Sequence, residues 1–379
     1  MNRQFLPLFE PYRFNNNVEI KNRLVVAPMT HFASNPDGTL SEQERQFLQH
    51  RAQDMGMFIT AATLISENGK AFHGQPEATK EAQLESLSQT AELLKKQGSK
   101  AILQLHHGGK LALSELLNGK DKVAPSDDPE TGARALTEVE IKGIIEDFAQ
   151  ATDLAIRAGF DGVEIHGANG YLLQQFFSSQ SNRRTDQWGG DLANRLRFPL
   201  AVVDAVDAVR AKHQRPEFII GYRLSPEEPG ENGITMTETL AFVEALAQKT
   251  LQYLHISLWD FYKKVRRGSD SEITRLALIH QQLNGRLPLI GVGNLFTAEQ
   301  LLAALDTGWV EFVAVGKSVM INPTLATLIK EGKTQEIITA LDPEKTDHYQ
   351  IPDTLWRLCV QGGAWLPPVK GKDWQPIDL

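Results

Sequence analysis

The sequence predicts an α/β protein, a TIM-type (β/α)8 barrel with long loops after its third and fourth strands and a C-terminal tail. Eight short β-rich runs alternate with longer helical patterns along the chain. Most of these runs are almost continuously apolar, as expected of parallel strands that are buried on both faces. Eight units favour a closed barrel over an open doubly wound sheet, which usually has fewer strands and a glycine-rich first turn.

The order of elements follows from periodicity and from end signals. The predicted strands cover residues 23–28, 57–65, 100–106, 161–166, 217–224, 252–257, 287–292 and 310–316. Segments with a 3.6-residue apolar period follow them at 41–54, 81–97, 138–158, 194–212, 236–248, 272–283, 297–305 and 318–330. Thr137 and Glu140 have capping-box spacing, and Gly98, Gly159 and Gly308 stand where helices should end.

We assign residues 1–340 to the barrel and residues 341–379 to the tail, which is rich in Pro, Gly and Trp and has no further βα unit. We expect the tail to pack on the barrel or on a neighbouring subunit. No motif decides the oligomeric state, although a homo-oligomer with Trp365 at its interface is one expectation.

Composition excludes several classes of function. A net charge of -8 and a pI near 5.7 argue against a nucleic-acid partner or an anionic membrane surface. The single cysteine, Cys359, excludes an intramolecular disulfide framework, a four-cysteine zinc site and a cysteine-ligated iron–sulfur cluster. The N-terminus lacks a signal-peptide core and no apolar run is long enough to span a bilayer, so we expect a cytoplasmic protein.

In a barrel, active sites are built at the carboxyl ends of the strands, and the loops after strands seven and eight commonly bind phosphate. Gly293, Asn294, Gly316 and Lys317 occupy those two loops. Glycines let backbone N–H groups approach an anion, and Lys317 adds a charge. The alternative is that the glycines only end the strands and that Lys317 is solvated.

The exit of the fourth strand carries His166, Asn169 and Tyr171. The histidine and the asparagine could hold a carbonyl oxygen on which negative charge develops, and the tyrosine could donate a proton. The alternative is a histidine with a structural role.

Gln104 and Arg223 lie at the carboxyl ends of the third and fifth strands and offer a neutral amide and a permanent cation. This pair suits an electron-rich ring system that gains charge on reduction, although the arginine could instead pair with a carboxylate. A metal site at His106 and His107 is not expected, because no Asp, Glu or Cys stands nearby at ligand spacing.

Two further segments are candidates for the walls of the site. Trp259 and Phe261 follow the sixth strand and could line a pocket over a flat ligand, or could pack beneath a mobile loop. The polar segment at residues 182–190 is interpreted as an ordered loop that supports the site.

Together these motifs resemble the Old Yellow Enzyme family of FMN-dependent NADH:flavin oxidoreductases, from about residue 6 to residue 323. The most specific stretch is GFDGVEIHGANGYLL at residues 159–173. It is followed by Asn182-x-Arg184-Thr185-Asp186 and by Asn194-Arg195-x-Arg197-Phe198.

The resemblance implies FMN across the barrel mouth. It places Gln104 and Arg223 at the pyrimidine edge of the flavin and the glycines, Asn294 and Lys317 at the phosphate. The remaining residues that it places near the flavin are Ala27, Pro28, Met29, Thr30 and Ala62. Many relatives have arginine where this chain has Lys317, and one branch has cysteine where it has Thr30.

The family's reaction implies NADH or NADPH as the reductant and an activated alkene as the small-molecule substrate. A nicotinamide delivers hydride to flavin N5 and leaves, and an α,β-unsaturated carbonyl compound then takes that hydride at its β-carbon in the same pocket. His166 and Asn169 would polarise the carbonyl, and Tyr171 would protonate the α-carbon. The chain has no Gly-x-Gly-x-x-Gly after a strand that would bind NADH separately.

Two other readings of the residues remain open at this point. A colourless barrel lyase or aldolase could act on a phosphorylated substrate through a lysine such as Lys110. A flavin-binding redox sensor would bind the cofactor without turning over an alkene.

Overall fold

The computed structural model describes residues 3–378 and confirms a closed barrel of eight parallel strands. The strands are β1 Leu24–Val26, β2 Met57–Ile59, β3 Lys100–His106, β4 Gly162–Gly167, β5 Ile219–Leu224, β6 Tyr253–Ile256, β7 Leu289–Gly291 and β8 Phe312–Val315. Each strand pairs with the next in chain order, and β8 pairs with β1 through Val313 and Leu24 to close the ring.

The helices cover the outside of the barrel and follow the strands as predicted. They are α1 Glu42–Leu48, α2 Leu84–Lys96, α3 Glu138–Arg157, α4 Leu172–Phe177, α5 Leu192–Lys212, α6 Met236–Ala247, α7 Arg275–Leu283, α8 Ala298–Asp306, α9 Lys317–Ile321, α10 Leu325–Glu331, α11 Thr346–Tyr349 and α12 Asp353–Gln361. Among residues 3–378, no helix combines the length and the apolar character needed to cross a bilayer.

The predicted end signals of the long helix α3 are confirmed. The Thr137 side chain accepts from the Glu140 backbone N–H at 3.3 Å, and the Glu140 carboxylate accepts from the Thr137 N–H at 2.8 Å. The helix ends before Gly159, whose φ of +86° is a backbone conformation that glycine adopts without strain. The two hydrogen bonds between Thr137 and Glu140 satisfy N–H groups that the first turn of a helix otherwise leaves unpaired.

Three predicted boundaries are wrong, each for a local reason. The helix predicted at 41–54 ends at Leu48, because the next residue is extended and His50 has a φ of +71°. The helix predicted at 318–330 is broken into α9 and α10 around Pro323, which cannot continue a helix. The strand predicted at 57–65 is split into β2 and a two-residue strand at Thr63–Leu64, which pairs with β3.

The amino end of the barrel is closed by apolar side chains. A hairpin of Tyr12–Arg13 and Glu19–Ile20 crosses this end. It presents the buried Phe14, whose ring packs 6.1 Å from that of Tyr253 and 5.6 Å from that of Phe312. Because this end is filled, a ligand can reach the barrel only from the carboxyl ends of the strands.

The two long connections, after β3 and after β4, are ordered and bonded to each other at the open end. The guanidinium of Arg184 donates to the carbonyls of Pro125 and Leu136, at 2.8 and 2.6 Å. Asn182 donates to the carbonyls of Phe176 and Trp188, at 2.7 and 2.8 Å. The segment at 182–190 is therefore an ordered loop, as predicted.

The tail crosses the same open end. It contains α11 and α12, and a parallel bridge between Leu341 and Val369 joins its first residue to its C-terminal part. Trp374 packs its ring 6.1 Å from that of Phe296, in the loop after β7. The tail thus contacts the loops in which the sequence predicts a phosphate site.

Candidate active site

A cavity of about 220 Å³ opens at the carboxyl ends of the strands. It is lined by most of the residues that the sequence analysis selects: Ala27, Pro28, Met29, Thr30, Asn169, Arg223, Trp259, Gly293, Asn294, Gly316 and Lys317. Ser257, Leu258 and Trp365 complete much of the wall. Segments from six different strand ends therefore converge on one site.

Other selected residues lie outside the cavity wall. Gln104 is buried within the barrel, where its amide meets a carboxylate. Ala62 is buried, and its carbonyl accepts from Gln75 at 3.0 Å. Phe261 is fully buried and stacks on Trp309 with ring centroids 6.3 Å apart, so it supports the loop after β6 from below.

One end of the cavity is formed by Arg223, which is buried at the end of β5. One terminal nitrogen donates to the Ser257 hydroxyl at 3.0 Å, whereas Nε has no hydrogen-bond partner within residues 3–378. A buried donor without an acceptor is costly. The unpaired N–H beside the cavity fits a ligand with an acceptor edge, such as the pyrimidine ring of a flavin.

Below Arg223, the carboxylate of Glu164 accepts three hydrogen bonds in the barrel interior. The donors are Gln104 Nε2 at 2.7 Å, the Tyr253 hydroxyl at 3.1 Å and His255 Nδ1 at 3.0 Å. Burial would raise the pKa of Glu164, but contacts with His255, the charge of Arg223 and the hydrogen bond from Gln104 lower it. An ionised carboxylate therefore lies at the centre of the barrel.

The opposite end of the cavity is formed by Lys317. Its amine donates to Asn294 Oδ1 at 2.7 Å and to the carbonyl of Ala364 at 3.1 Å. The amine also lies over the rings of Trp259 and Trp374, 5.2 and 4.9 Å from their centroids. Burial lowers the pKa of Lys317 to about 8, which an anion beside the amine would raise.

The two glycines at this end have different surroundings. Gly293 has a φ of +148°, and a Cβ there would lie 2.3 Å from the Phe261 backbone nitrogen, so only glycine fits. A Cβ on Gly316 would meet nothing closer than Met29 Cγ at 3.6 Å. The cradle beside the Lys317 amine is thus open, as the phosphate of FMN would require.

His166 and Tyr171 are not part of the cavity wall, but their ring centroids lie 5.3 Å apart and His166 is paired across the sheet with Arg223, which lines the cavity. Burial lowers the pKa of His166, so its ring is neutral. His166 Nδ1 accepts the Ala168 N–H at 3.3 Å, which puts the ring proton on Nε2. Burial raises the pKa of Tyr171 to about 12, so its hydroxyl keeps its proton at neutral pH.

Asn169 adopts a left-handed backbone conformation with a φ of +58°. Its backbone N–H donates to the Ser225 hydroxyl at 2.9 Å, and its Oδ1 accepts from the Ser257 hydroxyl at 2.8 Å. Because Oδ1 is the accepting atom, the amide nitrogen remains as a donor on a residue that lines the cavity.

Sequence reasoning missed an aromatic row that runs from Tyr171 to the tail. Phe72 packs 5.9 Å from Tyr171, Phe32 packs 6.2 Å from Phe72, and Trp365 packs 6.4 Å from Phe32. Phe32 has a φ of +57°, which is strained for an aromatic residue and occurs mainly where the surroundings enforce it. No spacing in the sequence indicates that these distant loops meet.

The residues that could serve a metal site or a lysine-dependent reaction are engaged in other contacts or do not form such a site. Among residues 3–378, no group of three or more His, Cys, Asp or Glu side chains could hold a metal ion. His106 Nδ1 lies 3.0 Å from the Gln75 amide nitrogen, and burial lowers the pKa of His106 to about 3. Lys110 forms an ion pair with Asp128 at 2.9 Å.

Known proteins match this chain over most of its length. A model of the NADH:flavin oxidoreductase / NADH oxidase family matches residues 7–336. The probable NADH-dependent flavin oxidoreductase YqiG of Bacillus subtilis (strain 168) is 46% identical over 97% of this chain and 99% of that protein.

Two solved structures share both the fold and part of the sequence of this chain. An old yellow enzyme homologue from Zymomonas mobilis has a TM-score of 0.74 and 27% identity, covering 86% of this chain and 92% of that one. Morphinone reductase in complex with tetrahydroNAD has a TM-score of 0.71 and 33% identity, covering 86% and 90%. The chain therefore belongs to the NADH:flavin oxidoreductase / NADH oxidase family, the Old Yellow Enzyme family, and is an oxidoreductase with FMN as cofactor and NADH as reductant.

Proposed function

We propose that this enzyme is an ene-reductase, which uses NADH or NADPH to reduce the carbon–carbon double bond of α,β-unsaturated carbonyl compounds in a ping-pong reaction. The observation that carries the proposal is the pair of His166 and Tyr171, whose neighbouring rings are held in defined protonation states. Bound FMN would supply the hydride-transfer chemistry that links the nicotinamide to the alkene.

His166 and Asn169 are proposed to hold the substrate carbonyl. The Nε2–H of His166 and the amide nitrogen of Asn169 are both donors. The other ring nitrogen of His166, Nδ1, and the amide oxygen of Asn169, Oδ1, already accept hydrogen bonds. Donors that are fixed before the reaction stabilise the negative charge that develops on the carbonyl oxygen as hydride is added to the β-carbon.

Tyr171 is proposed to supply the proton that the α-carbon then needs. Its pKa of about 12 keeps the hydroxyl protonated over the physiological range. The neutral rings of His106 and His166 flank it at 4.3 and 5.3 Å, so no neighbouring cation favours its ionised form. The aromatic row of Phe72, Phe32 and Trp365 adds apolar surface, which favours flat apolar substrates.

For the cofactor, we propose that Gln104 and Arg223 hold the pyrimidine edge of FMN and that the loops after β7 and β8 hold its phosphate. The unpaired Nε of Arg223 and the buried amine of Lys317 support these two placements. The backbone at Ala27–Thr30 lines the cavity between them. Residues 1–340 and the tail at 341–379 would then form one functional unit, because tail atoms contact Lys317.

The lysine of an aldolase is not supported at Lys110. Its amine is held in an ion pair with the carboxylate of Asp128 at 2.9 Å instead of being free to attack a substrate carbonyl. A redox sensor differs from an ene-reductase only in the second half of the reaction, so kinetics must separate them.

The first experiment is an anaerobic absorbance spectrum of the purified protein, before and after NADH and then cyclohexenone. We expect flavin bands that bleach with NADH and return with the enone. Bands that bleach but never return with any enone would support the sensor and contradict the ene-reductase.

Tyr171→Phe tests the proton donor. We expect enone reduction to slow by about 100-fold, since a positioned general acid contributes about 10²–10⁴-fold. Flavin reduction by NADH should change little, because that step needs no added proton donor. Equal slowing of both half-reactions in stopped-flow traces would remove Tyr171 from this role.

His166→Ala tests the carbonyl site. We expect weaker binding of an enone or of a phenol that mimics the enolate, with a loss of about 100-fold in the rate of enone reduction. Unchanged affinity and unchanged turnover would place His166 outside the site.

A further inference from the structure

Glu164 is an ionised carboxylate inside the barrel that the proposed mechanism leaves unused. It lies in β4, directly across from Gln104 in β3 and Gly221 in β5. Gly221 has no side chain, and a Cβ there would lie 2.1 Å from the ring of Tyr253. This gap lets the Tyr253 ring cross β5 and its hydroxyl reach Glu164 at 3.1 Å.

A carboxylate can only accept hydrogen bonds, so Glu164 determines which way the Gln104 amide faces. Gln104 Nε2 lies 2.7 Å from Glu164 Oε1, whereas the opposite orientation would place two oxygens against each other. The Gln104 carbonyl and its second N–H are then left for a ligand. An adjacent acceptor and donor complement the N–H and C=O that alternate along the pyrimidine edge of a flavin.

Arg223 lies in β5 two residues after Gly221, the residue opposite Glu164, so the Arg223 and Glu164 side chains share one face of the sheet on neighbouring strands. Burial lowers the pKa of Arg223 and the charge of Glu164 raises it. The carboxylate thus stabilises the guanidinium while reducing the positive potential that the guanidinium projects into the cavity. A bound group that becomes anionic on reduction would be stabilised less strongly than by an arginine without this partner.

We propose that Glu164 is a positioning residue for the flavin, which orients the Gln104 amide and offsets the charge of Arg223. It thereby sets both the affinity for oxidised FMN and the reduction potential of the bound flavin. This inference rests on the proposed placement of Gln104 and Arg223 at the pyrimidine edge.

The test uses Glu164→Gln and Glu164→Asp in the full-length chain. Glu164→Gln keeps the size but loses the charge and can bond to either orientation of the Gln104 amide. We expect the Kd for FMN to rise about tenfold, as for a lost hydrogen bond to a charged group, and the midpoint potential to become more positive. Glu164→Asp keeps the charge but withdraws the carboxylate, so we expect weaker FMN binding with an almost unchanged potential.

The matched control is Glu238→Gln, because Glu238 pairs with Arg195 at 2.8 Å outside the site. It should lower stability without moving the flavin potential. FMN affinities are measured by fluorescence quenching and potentials by titration against reference dyes, so neither readout depends on turnover. If Glu164→Gln does not fold, the FMN affinity of Glu164→Asp still decides the orientation role.

The outcomes separate the inference from the proposed placement. An unchanged FMN affinity in both Glu164 variants overturns the orientation role, and an unchanged or more negative potential in Glu164→Gln overturns the charge offset. An equal potential shift in Glu238→Gln also overturns the charge offset. If Gln104→Ala and Arg223→Ala also leave FMN affinity and potential unchanged, the proposed placement itself fails.

Discussion

The two ends of the cavity each hold a buried cation, but the cations are stabilised in different ways. Arg223 is at the end of a barrel strand, and the ionised carboxylate of Glu164 offsets its burial from within the same sheet. Lys317 is at the start of a short helix, and its amine contacts the Asn294 and Ala364 carbonyl oxygens and two indole rings instead of a carboxylate.

This difference shows how a single cavity can combine a fixed charge with an adjustable one. A guanidinium beside a carboxylate stays charged at any physiological pH. An amine whose pKa burial lowers to about 8 is charged only in part at that pH, and a bound anion increases the charged fraction. Arg223 therefore contributes to the stability of the barrel as well as to ligand binding, whereas the charge of Lys317 depends on whether an anion is bound.

The largest effect is expected from Arg223→Met, which leaves Glu164 without its cation. Removing a charge that compensates a buried carboxylate costs about 1–3 kcal/mol, so the free energy of unfolding of the FMN-free protein should fall by about that amount. FMN affinity should fall as well, because the unpaired Nε–H is lost. Urea denaturation and FMN titration measure the two effects.

Arg195→Met is the matched control, because Arg195 is also buried and pairs with Glu238 at 2.8 Å away from the cavity. It should destabilise the fold without weakening FMN binding. If both variants lose stability equally and neither loses FMN affinity, Arg223 is only structural and the comparison between the two ends collapses.

The next effect is expected from Lys317→Met, which removes the adjustable charge. A hydrogen bond to a charged group contributes about 1.5–3 kcal/mol, so FMN affinity should fall by about 10- to 100-fold. Affinity for riboflavin, which lacks the phosphate, should change little. The FMN-free protein should not be destabilised, since the variant removes a partly buried amine rather than a cation that compensates a buried carboxylate.

Equal losses for FMN and riboflavin in Lys317→Met would contradict a phosphate site. A large loss of stability in the FMN-free variant would contradict the contrast with Arg223.

The strand-end positions were predictable from the sequence because barrel geometry converts chain order into a place in space. Eight apolar runs fix the ring, and polar residues at their carboxyl ends must then meet. Asn169, Arg223, Asn294 and Lys317 were found in this way and line one cavity. The same logic fails for Phe261, which lies farther along the loop after β6 and faces the core instead of the cavity.

The remaining parts of the site depend on contacts that no local pattern encodes. The carbonyl of Ala364 meets Lys317 across 47 positions of the chain, through a tail without strand or heptad periodicity. Glu164 lies within the motif at residues 159–173, which by itself does not indicate a role for it. Its signal was a carboxylate between Val163 and Ile165, two positions before His166 on the same face of a buried strand. A charge in such a run requires buried partners.

A pH titration sharpens the contrast between the two cations. Because the pKa of Lys317 is lowered to about 8 in the FMN-free protein, phosphate binding must take up a proton above that pH. Between about pH 8 and the higher pKa of the complex, the Kd for FMN should rise by up to tenfold per pH unit, and it should be flat well below pH 8. Riboflavin and the Lys317→Met variant should show no such slope, and a slope that persists in Lys317→Met would assign it to another group.

The smallest effect is expected from a variant that tests whether the tail contributes to FMN binding at the Lys317 end of the cavity. The ring of Trp374 lies 4.9 Å from the Lys317 amine, and its indole N–H donates to the Leu366 carbonyl at 3.0 Å, which fixes the ring over the cation. Losing a cation–π contact of about 0.5–1 kcal/mol should weaken FMN binding by about threefold in Trp374→Ala. Trp356→Ala is the control, because Trp356 stacks on Tyr349 within the tail instead of on Lys317. If Trp356→Ala weakens FMN as much as Trp374→Ala does, the tail acts through its general packing, and the charge at this end depends on the loops alone.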